Sequence, residues 1–321
     1  MKILVSGGAG FIGFHLCSRL LKEDYQVICI DNLSTGLSEN IKPFLKNKNF
    51  AFIDWDITKP LKDLPKIDAI FHLASPASPN YQSEISYHHL ALETILVNSL
   101  GTLELLKLAQ KDQAKFLFAS SSEIYGDPKK HPQKETYFGN VNPIGPRAVY
   151  DEAKRMGETL TAYFWREKGL DARIARIFNT YGPGLRIDDK RMVVNFIVAA
   201  LKNEPITIYG QGKQTRSLCY IDDLVEGLLR LMFYPNTQKE VVNLGMQDEH
   251  TVLFFAQTIK KLTASKSEII FSQDLPEDDP IRRKPDISKA KKLLDWWPKI
   301  NLEEGLKKTI AYYKKILSEK K

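Results

Sequence analysis

Cysteine is scarce in this chain: Cys17, Cys29 and Cys219 are the only three among 321 residues, with no Cys-x-x-Cys spacing and no histidines grouped beside them. An odd, dispersed set excludes a disulfide framework and a cysteine–histidine metal site, so neither a disulfide nor a metal is expected. Long apolar runs are missing too. None approaches the roughly 20 residues a membrane span needs, and Lys2-Ile3-Leu4-Val5 reads as a strand, not a signal peptide. The cytoplasm is the expected compartment, with no membrane partner. Low-complexity tracts and internal repeats are absent as well, which excludes disordered and solenoid architectures. The formal charge of +7 draws on lysines near the C-terminus, such as Lys307-Lys308 and Lys314-Lys315, spaced as a solvated helix face. A nucleic-acid partner would call for basic residues interleaved with exposed aromatics or a recognisable module. Neither is present, and the charge suits small anionic substrates.

What is present is an alternation. Short runs of branched apolar residues at 3–6, 27–30, 50–53, 69–73, 115–120 and 172–177 are separated mostly by helical patterns. That order predicts an α/β fold, a doubly wound parallel sheet of Rossmann type. The helix expected over 90–110 carries Leu92, Ile95, Leu96, Leu100, Leu103 and Leu106, apolar around more than one face. Such a helix needs two partners: the sheet and either a second subunit, giving a homodimer, or a neighbouring helix. Beyond Phe178 the pattern loosens around Pro183, Pro205, Pro235 and Pro285. We therefore expect a dinucleotide-binding domain mainly over 1–178. A smaller C-terminal substrate-binding lobe follows mainly over 179–321, with some chain returning to the first part.

The turn after the first strand reads Val5-Ser6-Gly7-Gly8-Ala9-Gly10-Phe11-Ile12-Gly13. Glycines at that spacing let a pyrophosphate approach the backbone, and the helix N-terminus that follows supplies free amides to it. By itself the loop could be only a tight turn. Asp31 changes that, because a carboxylate at the end of the second strand, about 20 residues on, accepts hydrogen bonds from the ribose hydroxyls. Asn32 follows it where an arginine would have indicated NADP, so the expected cofactor is NAD, bound by Gly7, Gly10, Phe11, Ile12, Gly13, Asp31 and Asn32. Asp56-Ile57 after the third strand and Leu73-Ala74 after the fourth are further cofactor candidates, although a strand-end Asp is as often a turn former.

Tyr150 and Lys154 lie four residues apart, hence on one face of a helix, where an ammonium beside a phenol favours the phenolate and makes a base. Such pairs are common on solvated helices. Here they follow Ala119-Ser120-Ser121-Ser122-Glu123-Ile124-Tyr125-Gly126, a strand end rich in hydroxyls. Asp222-Asp223 reads as a helix cap and Trp296-Trp297 as packing.

The glycine loop, the strand-end Ser121 and Tyr150-x-x-x-Lys154 resemble the extended short-chain dehydrogenase/reductase family. The segments His72-Leu73-Ala74-Ser75-Pro76, Ser121-Ser122-Glu123-Ile124-Tyr125-Gly126-Asp127-Pro128, Asn142-Pro143-Ile144-Gly145-Pro146-Arg147 and Arg283-Lys284-Pro285-Asp286 resemble its UDP-glucuronate decarboxylase (UDP-xylose synthase) branch. Ser121 stands where that branch usually carries Thr, which keeps the hydroxyl, and Ala153 stands where it commonly carries Gly. The resemblance implies oxidation at C4 of UDP-glucuronate by NAD, decarboxylation of the 4-keto acid, and return of the hydride to give UDP-xylose. It assigns Tyr150, Lys154 and Ser121 to the redox step, and Ser122, Glu123 and Arg283 to the reacting carboxylate. Asn179, Arg191, Arg216 and Arg283 are assigned to substrate binding. In related 4,6-dehydratases an Asp follows the Ser/Thr as acid, whereas this chain has Ser122 there. A nucleotide-sugar 4-epimerase, a 4,6-dehydratase and a silent NAD-binding regulator are the alternatives; the intact Ser-Tyr-Lys set argues against the last.

Overall fold

The computed structural model describes residues 1–61, 64–272, 275 and 277–319. Six strands fall where the apolar runs place them: β1 Lys2–Ser6, β2 Gln26–Asp31, β3 Phe50–Asp54, β4 Ala69–His72, β5 Lys115–Ser121 and β6 Ala172–Ile177. A seventh, β7 Val241–Leu244, joins them from the far half of the chain. All pairs are parallel, in the order β7-β6-β5-β4-β1-β2-β3. Along β1 the side chains alternate between two cores. Ile3 and Val5 join Leu16, Leu20, Leu224 and Leu228 on one face, and Leu4 joins Leu105, Leu106 and Phe116 on the other. Burial on both faces is why these strands read as unbroken apolar runs. The strand order reverses between β1 and β4, and the crossovers leave in opposite directions there, opening a crevice beyond the carboxyl ends of the strands.

β7 gave no clear signal because it is four residues long and holds a polar one. Asn243 is nonetheless fully used: its amide donates to the carbonyls of Gln133 (3.0 Å) and Asp286 (3.2 Å), and its oxygen accepts from Tyr125 (2.8 Å). The helix expected over 90–110 runs as Ala91–Leu96, a π-helical turn at Val97–Gly101, and Thr102–Asp112. It packs on the long helix Ala148–Glu167 of the same chain, yet Leu92, Ile95 and Leu100 remain 63, 44 and 47% exposed. Asp222 and Asp223 lie in the first turn of the helix Ile221–Phe233, not at its cap. Asp223 instead accepts the backbone amide of Ile300 at 2.9 Å, and its carbonyl accepts the indole N–H of the buried Trp296.

Among the described residues the later part of the chain builds three small ladders, one of which pairs Thr180–Tyr181 with Cys219–Tyr220. Ile206–Tyr209 pairs with Ile269–Ser272, and Thr215–Ser217 lies between Glu249–Thr251 and Arg282–Arg283. The three-stranded ladder sets Arg216 opposite Arg283. Among the described residues no helix is long and apolar enough to cross a membrane, and no three His, Cys, Asp or Glu side chains converge as a metal site. The three cysteines are buried and free.

Candidate active site

The chain leaves β1 through a turn that requires glycine. Gly7 has φ +76°, and a Cβ there would lie 2.6 Å from the amide nitrogen of Ala74. At Gly13 a Cβ would lie 2.1 Å from the Gly7 carbonyl oxygen, so the helix Phe11–Lys22 starts hard against the loop. No side chain caps that helix at Gly10, which suits its first turn to a pyrophosphate. At the end of β2 the Asp31 carboxylate accepts the amides of Ala9 (3.0 Å) and Leu33 (2.9 Å). Burial pushes this carboxyl up, and the two amides pull it back. Each oxygen keeps a lone pair for a further donor. The residues that the sequence assigns to the cofactor, including Asn32, Asp56, Ile57, Leu73 and Ala74, all line one cleft. Asp56 also closes its own turn, accepting the amide and hydroxyl of Thr58 at 2.9 and 2.8 Å. This cradle fits a dinucleotide. Asp31→Ala should weaken NAD binding about tenfold to a hundredfold and narrow its advantage over NADP, because a charged acceptor is lost. Fluorescence titration with both cofactors checks this, and equal use of NADP by the unaltered protein would contradict it.

β5 and the helix Ala148–Glu167 bring Ser121, Tyr150 and Lys154 together on the cleft wall. The Lys154 ammonium donates to the Ala119 carbonyl at 2.9 Å and stands 5.6 Å from the Tyr150 ring centre. Burial pushes Tyr150 above its usual range, and the Glu123 charge adds to that; a hydrogen bond with Ser121 and the Arg191 charge pull it back. Burial also pushes Lys154 down to about 7, against the attraction of Glu158. Burial of both groups thus works against the phenolate that the Tyr150–Lys154 spacing favours.

Below them lies a cluster of charges. Glu123 receives Arg147 on Oε2 and Arg283 on Oε1. Burial would raise its carboxyl, but the two guanidinium groups hold it well below the usual carboxylate range. Glu123, Ser122, Asn179 and Arg191 line the cleft, Arg191 held by Asp189 through bonds of 2.7 and 2.9 Å. Arg216 and Arg283, expected to face the substrate directly, do not line it. They stand behind the wall, Arg283 on Glu123 and Arg216 on Asp279 at 2.9 Å.

Sequence reasoning missed three participants. Arg147 precedes Tyr150 by three residues, a helical spacing that could have flagged it. The Tyr87 ring stacks on Tyr150 with centres 4.9 Å apart, and its hydroxyl has no partner among the described residues. Asp279 joins Arg147 to Arg216, and only its closeness to Arg283 in the chain hinted at it.

A reversing parallel sheet, a dinucleotide cradle and a buried tyrosine–lysine pair define an enzyme that interconverts an alcohol and a ketone on a bound substrate. The model of the NAD dependent epimerase/dehydratase family matches residues 3–245, and the chain belongs to that family. UDP-glucuronic acid decarboxylase 1 of Danio rerio is 48% identical over 318 residues, which cover 98% of this chain and 73% of that one. UDP-glucuronic acid decarboxylase 3 of Arabidopsis thaliana is 49% identical over 307 residues, covering 95% and 87%. Among solved structures, UDP-glucuronic acid 4-epimerase from Bacillus cereus, in complex with UDP-glucuronic acid and NAD, superposes with a TM-score of 0.86. Its identity is 32%, over 98% of this chain and all of that one.

Proposed function

We propose that the chain is an NAD-dependent UDP-glucuronate decarboxylase, forming UDP-xylose through a 4-keto intermediate with the cofactor regenerated in each cycle. The cleft lined by Gly7, Gly10, Gly13 and Asp31 would hold NAD, which would supply a hydride acceptor for C4 oxidation, the hydride for its later return, and a positive charge favouring the Tyr150 phenolate. Tyr150 takes the proton of the C4 hydroxyl, and Ser121 steadies that oxygen by a hydrogen bond. The ketone so formed lies β to the C5 carboxylate, and carbon dioxide leaves because its bonding electrons pass to the ketone oxygen. Tyr150 and Ser121 then hold the resulting enolate oxygen, where charge has developed.

The observation that carries this reading is the state of Glu123. A 4,6-dehydratase needs an acid beside its Ser/Thr. Here that position is Ser122, and the next residue is an ionised Glu123 held by Arg147 and Arg283. Glu123 cannot donate a proton to a departing hydroxyl. A fixed anion near the reacting carboxylate disfavours that charge and favours its loss as neutral carbon dioxide, while the arginines behind the wall hold the anion in place. Asn179 and Arg191 serve the nucleotide from the cleft wall, and Arg216 serves the diphosphate from behind it.

We divide the labour between a cofactor-binding part, mainly 1–178 with β7 returning to it, and a substrate-binding lobe mainly over 179–321. We place the enzyme in the cytoplasm, as a homodimer. Leu92, Ile95 and Leu100 are exposed, as are Met156 and Tyr163 on the helix Ala148–Glu167 that packs against theirs, and a second copy would cover such a surface. Incubation with NAD and UDP-glucuronate, followed by mass spectrometry, should show UDP-xylose and carbon dioxide. A product that keeps the carboxylate and is only inverted at C4 would assign an epimerase instead.

A further inference from the structure

The cluster behind the cleft holds an acid that the reaction does not use. Asp279 sits in the loop leading into Arg282–Arg283, and its two oxygens go to different arginines. Oδ1 accepts from Nη1 of Arg147 at 3.4 Å, and Oδ2 from Nη2 of Arg216 at 2.9 Å. The two arginine side chains are 7 and 11% exposed, so each needs a counter-ion. Glu123 is fixed at the end of β5 and holds Arg147 and Arg283. Three arginines thus share two carboxylates, which leaves the cluster one positive charge in excess. Asp279 lies outside any strand, three residues before Arg282. Its neighbour Asp278 accepts from Asn142 at 3.2 Å, so this loop is fastened to the one that leads to Arg147.

We propose that Asp279 is an internal counter-ion that occupies Arg147 and Arg216 until an anionic nucleotide sugar displaces it, and that it reclaims Arg147 once the substrate has lost its carboxylate. The proposal rests on the decarboxylase reading. UDP-glucuronate brings two anions to the cleft wall, a diphosphate toward Arg216 and a carboxylate toward Arg147, both of which stand behind that wall with Asp279 between them. Together they can replace the single bridge that Asp279 makes. UDP-xylose keeps only the diphosphate, so Arg147 is left short of negative charge and Asp279 competes for both cations again. The acid thereby weakens product more than substrate, and favours release.

The test is calorimetric titration of UDP and UDP-xylose into the NAD-loaded enzyme. A bridge closed about nine-tenths of the time lowers apparent affinity about tenfold. Asp279→Asn, which keeps the shape and removes the charge, should therefore bind UDP-xylose about tenfold more tightly and show stronger product inhibition. Asp279→Ser should shift affinity in the same direction, which guards against a folding defect peculiar to one variant. Asp278→Asn, beside the bridge but not part of it, should keep the unaltered affinity. Equal or weaker binding of UDP-xylose by both Asp279 variants overturns the proposal. Carbon dioxide release by the unaltered enzyme is read separately. If it is absent while Asp279→Asn still binds more tightly, the decarboxylase reading fails and the counter-ion role stands.

Discussion

Tyr150→Phe should lower kcat by about a thousandfold or more, within the range that a positioned acid–base group contributes, while UDP binds as before. One oxygen is removed, and the phenyl ring remains stacked on Tyr87. The diphosphate contacts proposed above lie elsewhere, with Arg191 on the cleft wall and Arg216 behind it. The same change removes the proton acceptor for C4 oxidation and the donor to the enolate oxygen, so both halves of the cycle fail together. Neither NADH absorbance nor carbon dioxide should appear. Steady-state turnover and calorimetry with UDP check this, and substantial turnover would show that another group is the base.

Glu123→Gln should separate oxidation from decarboxylation. The amide keeps the shape but not the charge, and it leaves Arg147 and Arg283 short of a partner that both now share. Removing one member of a buried ion cluster typically destabilises by about 3–5 kcal/mol, so the melting temperature should fall as well. If the anion promotes loss of the substrate carboxylate, carbon dioxide release should fall more than hydride transfer, and NADH absorbance should appear transiently in a single turnover. Arg283→Ala should act in the same direction with a smaller loss of stability, since Arg147 still compensates Glu123. Stopped-flow absorbance beside measured carbon dioxide gives the comparison. A strictly proportional fall of the two rates would assign the cluster to binding or structure alone.

Local relations were legible in the sequence. The glycine loop, Asp31 and the Tyr150–Lys154 spacing each depend on residues joined by one turn or one crossover, and β1 to β6 announce themselves by branched apolar runs. β7 did not, because four residues containing Asn243 fit a loop as well as a strand. The charge cluster was half visible. Glu123 and Arg283 belong to recognisable segments, but their mutual pairing, and the insertion of Arg147 and Asp279, come from three stretches of chain that only the folded lobe brings together. The state of Lys154 was invisible for a similar reason. Sequence spacing places it beside Tyr150, whereas burial decides its charge.

The central claim is that C4 is oxidised and then reduced by the same bound cofactor, with decarboxylation between. UDP-glucuronate carrying deuterium at C4, supplied in large excess over enzyme-bound NAD in ordinary water, tests it most directly. The account predicts carbon dioxide in step with UDP-xylose, deuterium retained at C4, a solvent proton gained at C5, and no net NADH. Loss of the label from C4, or carbon dioxide released without any transfer of that deuterium to NAD, would contradict it.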